Sequence, residues 1–199
     1  GVFIAGSVSG AHLNPAVSIG CAVAGTMEWS AVPGYVIAQM LGGFVGATLV
    51  WLFYKDHYDA TEDPDTKLGT FCTMPAIEGH KARNFFCEVV ASWVLVFVIL
   101  VFGVDANIPT IDAAGQHLHI GMGELGAIPV TCLIMSIGMS LGGATGYAIN
   151  PARDLAPRIA HAVLPIKGKR DSGWGYSWIP VAGPIVGAIL AALTYMVLY

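Results

Sequence analysis

Ser9-Gly10-Ala11-His12-Leu13-Asn14-Pro15-Ala16-Val17 stands near the start of the chain. Thr145-Gly146-Tyr147-Ala148-Ile149-Asn150-Pro151-Ala152-Arg153 repeats its pattern 150 − 14 = 136 residues later. One Asn-Pro-Ala is weak evidence, because Asn-Pro often does no more than start a turn or cap a helix. The second copy is decisive because the segments downstream of the two copies also match. Gly42-Gly43-Phe44-Val45-Gly46-Ala47 is answered by Gly183-Pro184-Ile185-Val186-Gly187-Ala188, at an offset of 183 − 42 = 141. Both segments carry Gly-x-x-x-Gly, which lets helices approach closely in lipid. The chain is an internal repeat.

Composition says what medium the repeat lives in. Of 199 residues 55% are hydrophobic and 11% charged, less than half the roughly 25% charge of soluble domains. That excludes a soluble globular domain and a disordered chain. Nine Lys and Arg against thirteen Asp and Glu leave −4, so there is no basic field for nucleic acid. Four scattered cysteines form neither a disulfide framework nor a metal-ligand pattern, so no metal and no cofactor is expected. The charges cluster in residues 55–83 and leave apolar stretches at about 31–54, 84–104, 124–146 and 177–199. A helix needs about 20 apolar residues to cross a bilayer. Each stretch taken alone also fits a buried core helix, but four of them in so short a chain read as membrane spans. Three lie between the two Asn-Pro-Ala copies. Three is odd, so the copies face opposite sides of the membrane, as in an inverted repeat.

Asn14 and Asn150 read as N-caps, with Pro15 and Pro151 at the first helical position. The helices they start, about 15–25 and 151–162, are too short to span. Each reads as a half-helix that begins near the midplane and returns to its own side. The preceding stretches, about Gly6–Leu13 and Gly142–Ile149, are expected to be extended. Such backbone is tolerated at membrane depth where it is buried or lines a wet cavity. The expectation is a pore walled by carbonyls, with two positive helix ends at its centre.

Arg153 sits in the first turn of the second half-helix. A guanidinium at that depth is a functional candidate; a snorkelling arginine, or a partner for Asp154, is the alternative. With two helix ends it would repel cations and protons. Its donors and the asparagine amides, facing a row of carbonyl acceptors, suit a neutral polyol. Glu88 is the one carboxylate inside a span. It reads either as an acceptor for amides of a re-entrant stretch or as a surface group near the helix end. Gln39 has the same structural reading or a plain interhelical bond. His117 and His119 read as solvated loop residues, and His12 as a buried histidine orienting backbone.

These motifs resemble the major intrinsic protein (aquaporin) family, most closely aquaglyceroporins of the bacterial glycerol facilitator type. The resemblance implies an all-α membrane protein: an aquaporin-like inverted repeat of transmembrane helices with two Asn-Pro-Ala re-entrant half-helices. It implies one channel domain over 1–199, with the first repeat in 1–105 and the second in 124–199. On that pattern the first span and most of the second are lacking, so one wall is open and residues 1–199 alone are expected to misassemble.

The family's roles carry over residue by residue. Asn14 and Asn150 become the central constriction. Arg153, Tyr147 and Gly138 become the selectivity filter. Gly10, Ala11, His12 and Leu13, then Gly146, Tyr147, Ala148 and Ile149, become the carbonyl ladders. Glu88 supports the first ladder. Asp154 and the basic Arg158 mark the glycerol branch. Tyr147 stands where phenylalanine is usual. Met74 and Val181 replace an aromatic and a leucine.

The implied function is passive diffusion of glycerol and similar small neutral solutes, with water, through a homotetramer in the lipid bilayer of the cell membrane. A water-selective pore is the alternative; Gly138 and Asp154 speak against it. A coupled transporter would need titratable groups at the midplane. No nucleophile–base pair suggests an enzyme. The family places 106–123 in the cytoplasm, whereas four basic residues in 55–83 would by counting put that loop inside. The repeat match outweighs the count.

Overall fold

A computed structural model describes residues 1–102 and 126–199. His117, His119 and the loop 106–123 fall outside the described residues. Within them every regular element is a helix: α1 (Val2–Ser9), α2 (Pro15–Val23), α3 (Val32–Phe53), α4 (Lys55–Ala60), α5 (Pro64–Gly69), α6 (Lys81–Phe102), α7 (Ala127–Leu141), α8 (Pro151–Val163) and α9 (Ile179–Leu198).

The apolar stretches become the long helices. Helices α3 and α6 have 22 residues each and α9 has 20, all long and apolar enough to cross a membrane. At 1.5 Å per residue they reach about 30 Å, the thickness of a hydrocarbon core. Helix α7 is apolar but stops after 15 residues. The span expected to run to 146 ends instead at Gly142-Gly143, where turns begin.

The half-helices form as the caps predict. The Asn14 side chain accepts from the Ala16 amide, and that of Asn150 from the amides of Ala152 and Arg153. Proline follows in each case, so no amide is wasted at N1. The stretches before them are a correction to the expected extended runs. Residues 6–9 continue α1, which ends at Gly10 in the left-handed conformation. Residues 142–145 form turns, closed by the Gly146 amide on the Gly142 carbonyl at 2.8 Å. Only about five residues before each proline are irregular. An apolar environment explains the economy: each residue left out of a helix exposes two backbone groups that need partners.

Packing laces the two repeats together. Helix α3, from the first, packs on the half-helix α8 of the second. A Cβ on Gly43 would stand 2.9 Å from Ala156 Cβ and 3.1 Å from the Ala152 carbonyl. Helix α9, from the second, packs on α2 and most extensively on α6. A Cβ on Gly183 would stand 2.7 Å from Glu88 Cβ, and one on Gly187 2.3 Å from the Val89 carbonyl. Glycine here permits close backbone packing, one of the contributions that drive helix association in lipid. A buried cluster of Ala16, Cys21, Val96, Leu100, Ala188, Ala191 and Ala192 fills the space where α2, α6 and α9 meet.

Candidate functional site

The two asparagines meet. Asn14 Nδ2 donates to the carbonyl of Ile149 at 2.8 Å, and Asn150 Nδ2 donates to the carbonyl of Leu13 at 3.0 Å. Each amide reaches the residue just before the other asparagine. The bonds are reciprocal, as a two-fold relation between the repeats requires. Each side chain thus has a double duty: its oxygen caps its own half-helix, and its nitrogen ties the two motifs. A carboxamide has two N–H groups, so one on each asparagine remains for a solute.

Residue type and conformation conflict in these turns. Ala11 (φ 59°), Tyr147 (φ 41°) and Ile149 (φ 42°) are non-glycine residues at positive φ. Such strain persists only where surroundings enforce it, commonly at functional sites. The enforcing partner in the second turn is Glu88. Its carboxylate accepts from Thr145 Oγ1 at 2.6 Å, from the Ala148 amide at 2.9 Å and from the Ile149 amide at 2.9 Å. Glu88 is fully buried, so it is not a surface residue. This corrects the role implied by family resemblance, since Glu88 braces the second turn and not the first. The first turn is held by Gln39, whose Nε2 donates to the His12 carbonyl at 2.9 Å and to Ser18 Oγ at 3.1 Å. His12 Nδ1 also meets Ser18 Oγ, at 3.2 Å.

A family model described as "Major intrinsic protein" matches residues 1–195. The chain belongs to that family. A "Probable glycerol uptake facilitator protein" of Thermotoga maritima is 52% identical over 194 residues, covering 98% of this chain and 76% of its own length. "Glycerol uptake facilitator protein 3" of Lactiplantibacillus plantarum is 50% identical over 198 residues, covering 100% and 76%. Among solved structures, the aquaglyceroporin from Plasmodium falciparum superposes with a TM-score of 0.80 at 32% identity, over 97% of this chain and 74% of that one. As a member of this family the chain is an integral membrane protein with the aquaporin fold.

The remaining candidates fall into three groups. Gly138 and Tyr147 are brought together: a Cβ on Gly138 would lie 3.0 Å from Tyr147 Cζ. Arg153 is exposed, and with Asn150, Ala152, His12 and Leu13 it lines a cavity of about 390 Å³ against α3. Asp154 does not pair with Arg153. It is fully buried with Arg158, whose Nε and Nη2 reach Asp154 Oδ1 at 2.9 and 2.8 Å. The other Asp154 oxygen accepts from the Thr73 amide and hydroxyl at 2.7 and 2.8 Å. Arg158 also donates to the carbonyls of Thr73, Ser172 and Gly173. Every partner of this buried pair is satisfied, the condition under which a desolvated ion pair is tolerable. The pair pins residues 73–74 and 172–173 around α8.

The carbonyls expected to form the ladders are also partly engaged. The carbonyls of His12, Leu13 and Ile149 already accept from Gln39, Asn150 and Asn14. Those of Gly10, Ala11, Gly146, Tyr147 and Ala148 have no protein donor among the described residues. Sequence reading missed Thr73 and Ser172. Neither sits in a motif; only the fold brings them to Arg158.

Proposed function

We propose that the protein is a passive channel, not an enzyme, for glycerol and similar small neutral solutes, which water also crosses. The observation that carries the proposal is the reciprocal Asn14–Asn150 arrangement, with two half-helix N-termini meeting at one point. Each terminus carries about half a positive charge, so cations and protons meet an electrostatic barrier at the centre. The second N–H of each asparagine offers a donor to a passing hydroxyl or water oxygen. The unengaged carbonyls from Gly10, Ala11 and Gly146 to Ala148 offer acceptors. Arg153, Tyr147 and Gly138 form the narrow filter, pairing a guanidinium with a flat ring and an alkyl backbone with an apolar wall. The relatives named as glycerol uptake facilitators support glycerol as the solute. Homotetramer assembly in the cell membrane completes the reading.

Stopped-flow light scattering on proteoliposomes of the full-length protein tests it. Under an inward glycerol gradient, rapid reswelling without any ion gradient is expected. Asn150→Asp should slow it, and Arg153→Ala should admit larger or charged solutes. Shrinkage in sucrose without glycerol entry would instead establish a water pore.

A further inference from the structure

Tyr147 does not simply face Gly138; its ring lies along α7. At Gly142, where α7 ends, a Cβ would stand 2.6 Å from Tyr147 Cδ1. At Gly138, one turn earlier, a Cβ would stand 3.0 Å from Cζ and 3.3 Å from both Cε2 and Oη. Four residues of helix rise about 6 Å, enough for the two glycines to meet opposite ends of the ring. The ring therefore spans the two glycines, with its Cδ1 edge at Gly142 and its hydroxyl end at Gly138. The hydroxyl end is the deeper one. Gly138 adjoins Ile137, which packs in one buried cluster with Ile149, next to Asn150.

We infer that Gly142 is a further specificity-determining residue, acting as a positioning residue for the filter. With Gly138 it forms a two-glycine seat that fixes how far the Tyr147 ring stands into the pore. Turning the side chain away from a methyl at 142 moves the ring toward its open side, which the proposed channel makes the lumen, because Tyr147 meets α7 at Gly138 and Gly142 and is 37% exposed. The Tyr147 backbone cannot retreat either. Its φ of 41° is held by the neighbouring Ala148 and Ile149 amides on Glu88. This inference rests on the proposed glycerol channel and adds a residue to its filter.

The test is the ratio of glycerol to water permeability in proteoliposomes of the full-length protein. Once the leak of empty liposomes is subtracted, the ratio does not depend on how many channels assemble, so partial misfolding alone leaves it unchanged. Gly142→Ala is expected to lower it at least tenfold, because the larger solute feels a displaced ring first. In a Tyr147→Val background the same substitution should leave the ratio within twofold of Tyr147→Val alone. A methyl at 142 would also lie 2.3 Å from the Gly138 carbonyl. If Gly142→Ala abolishes all flux, the Tyr147→Val background decides: restored flux supports the seat, and continued loss overturns it. An unchanged ratio in Gly142→Ala overturns it as well. A wild-type protein that passes no glycerol would instead refute the channel reading.

Discussion

The two Asn-Pro-Ala turns make the same backbone bonds in different company. Both asparagines cap a half-helix and both reach the other turn's last carbonyl. At the 136-residue offset, however, Arg153, Asp154 and Arg158 are answered by Val17, Ser18 and Ala22. The first turn is braced by neutral groups, Gln39, Ser18 and His12. The second is braced by charge: Glu88 on its amides and the Asp154–Arg158 pair on its flanking loops. What the turns share makes the centre. On the proposed reading, what they do not share makes one end of the pore selective. The spans after the turns differ likewise. Gly183 and Gly187 on α9 receive the backbone of α6, whereas Cβ atoms at Gly42 and Gly46 on α3 would meet nothing within 4 Å.

The strongest way to break the contrast is Glu88→Ala. It orphans the Thr145 hydroxyl and the amides of Ala148 and Ile149, at about 1–3 kcal/mol for each buried group. Loss of glycerol flux and a large drop in melting temperature in detergent are expected, with Glu88→Gln intermediate. Next comes Arg158→Ala, which leaves Asp154 buried and unpaired and should cost about 3–5 kcal/mol. Substituting the equivalent Ala22 by Ser should shift the melting temperature far less.

Glycine substitutions compare the two spans. Gly187→Ala overpacks the α6 contact, at about 1–3 kcal/mol. Gly46→Ala in this chain should stay within about 0.5 kcal/mol, read from the same melts. Asn14→Ala and Asn150→Ala each remove one cap, worth about 1 kcal/mol, and similar losses from the two are the signature of the shared centre. The smallest effect is chemical. Burial pushes the Cys72 thiol up to about 12, so at pH 8 only about one in ten thousand is thiolate. Maleimide should spare Cys72 in the native protein and label it after denaturation. Labelling of Cys72 in the native protein would show that the loop bound to Asp154 through Thr73 is not pinned.

The half-helices were legible because asparagine and proline set their own local geometry, and the spans because bilayer thickness sets length and charge. Glu88 was legible as a structural carboxylate, since a lone charge in a span needs donors, but not as a brace for the second turn. Its donors lie 57 to 61 residues away, and both turns offer similar amides. Two of the four basic residues of loop 55–83 are engaged in the fold: Lys67 is buried, with its ammonium on the Lys167 carbonyl at 2.5 Å, and Lys55 pairs with Asp59.

By itself the sequence determined the medium, the repeat, its inversion and the two capped turns, because each arises from local propensity or from a periodic count along the chain. Tertiary structure alone decided which turn Glu88 braces, that Asp154 belongs to Arg158 and not Arg153, and that the Tyr147 ring rests on two glycines. Those are choices among partners of equal chemistry, and only the close approach of helices in three dimensions distinguishes them.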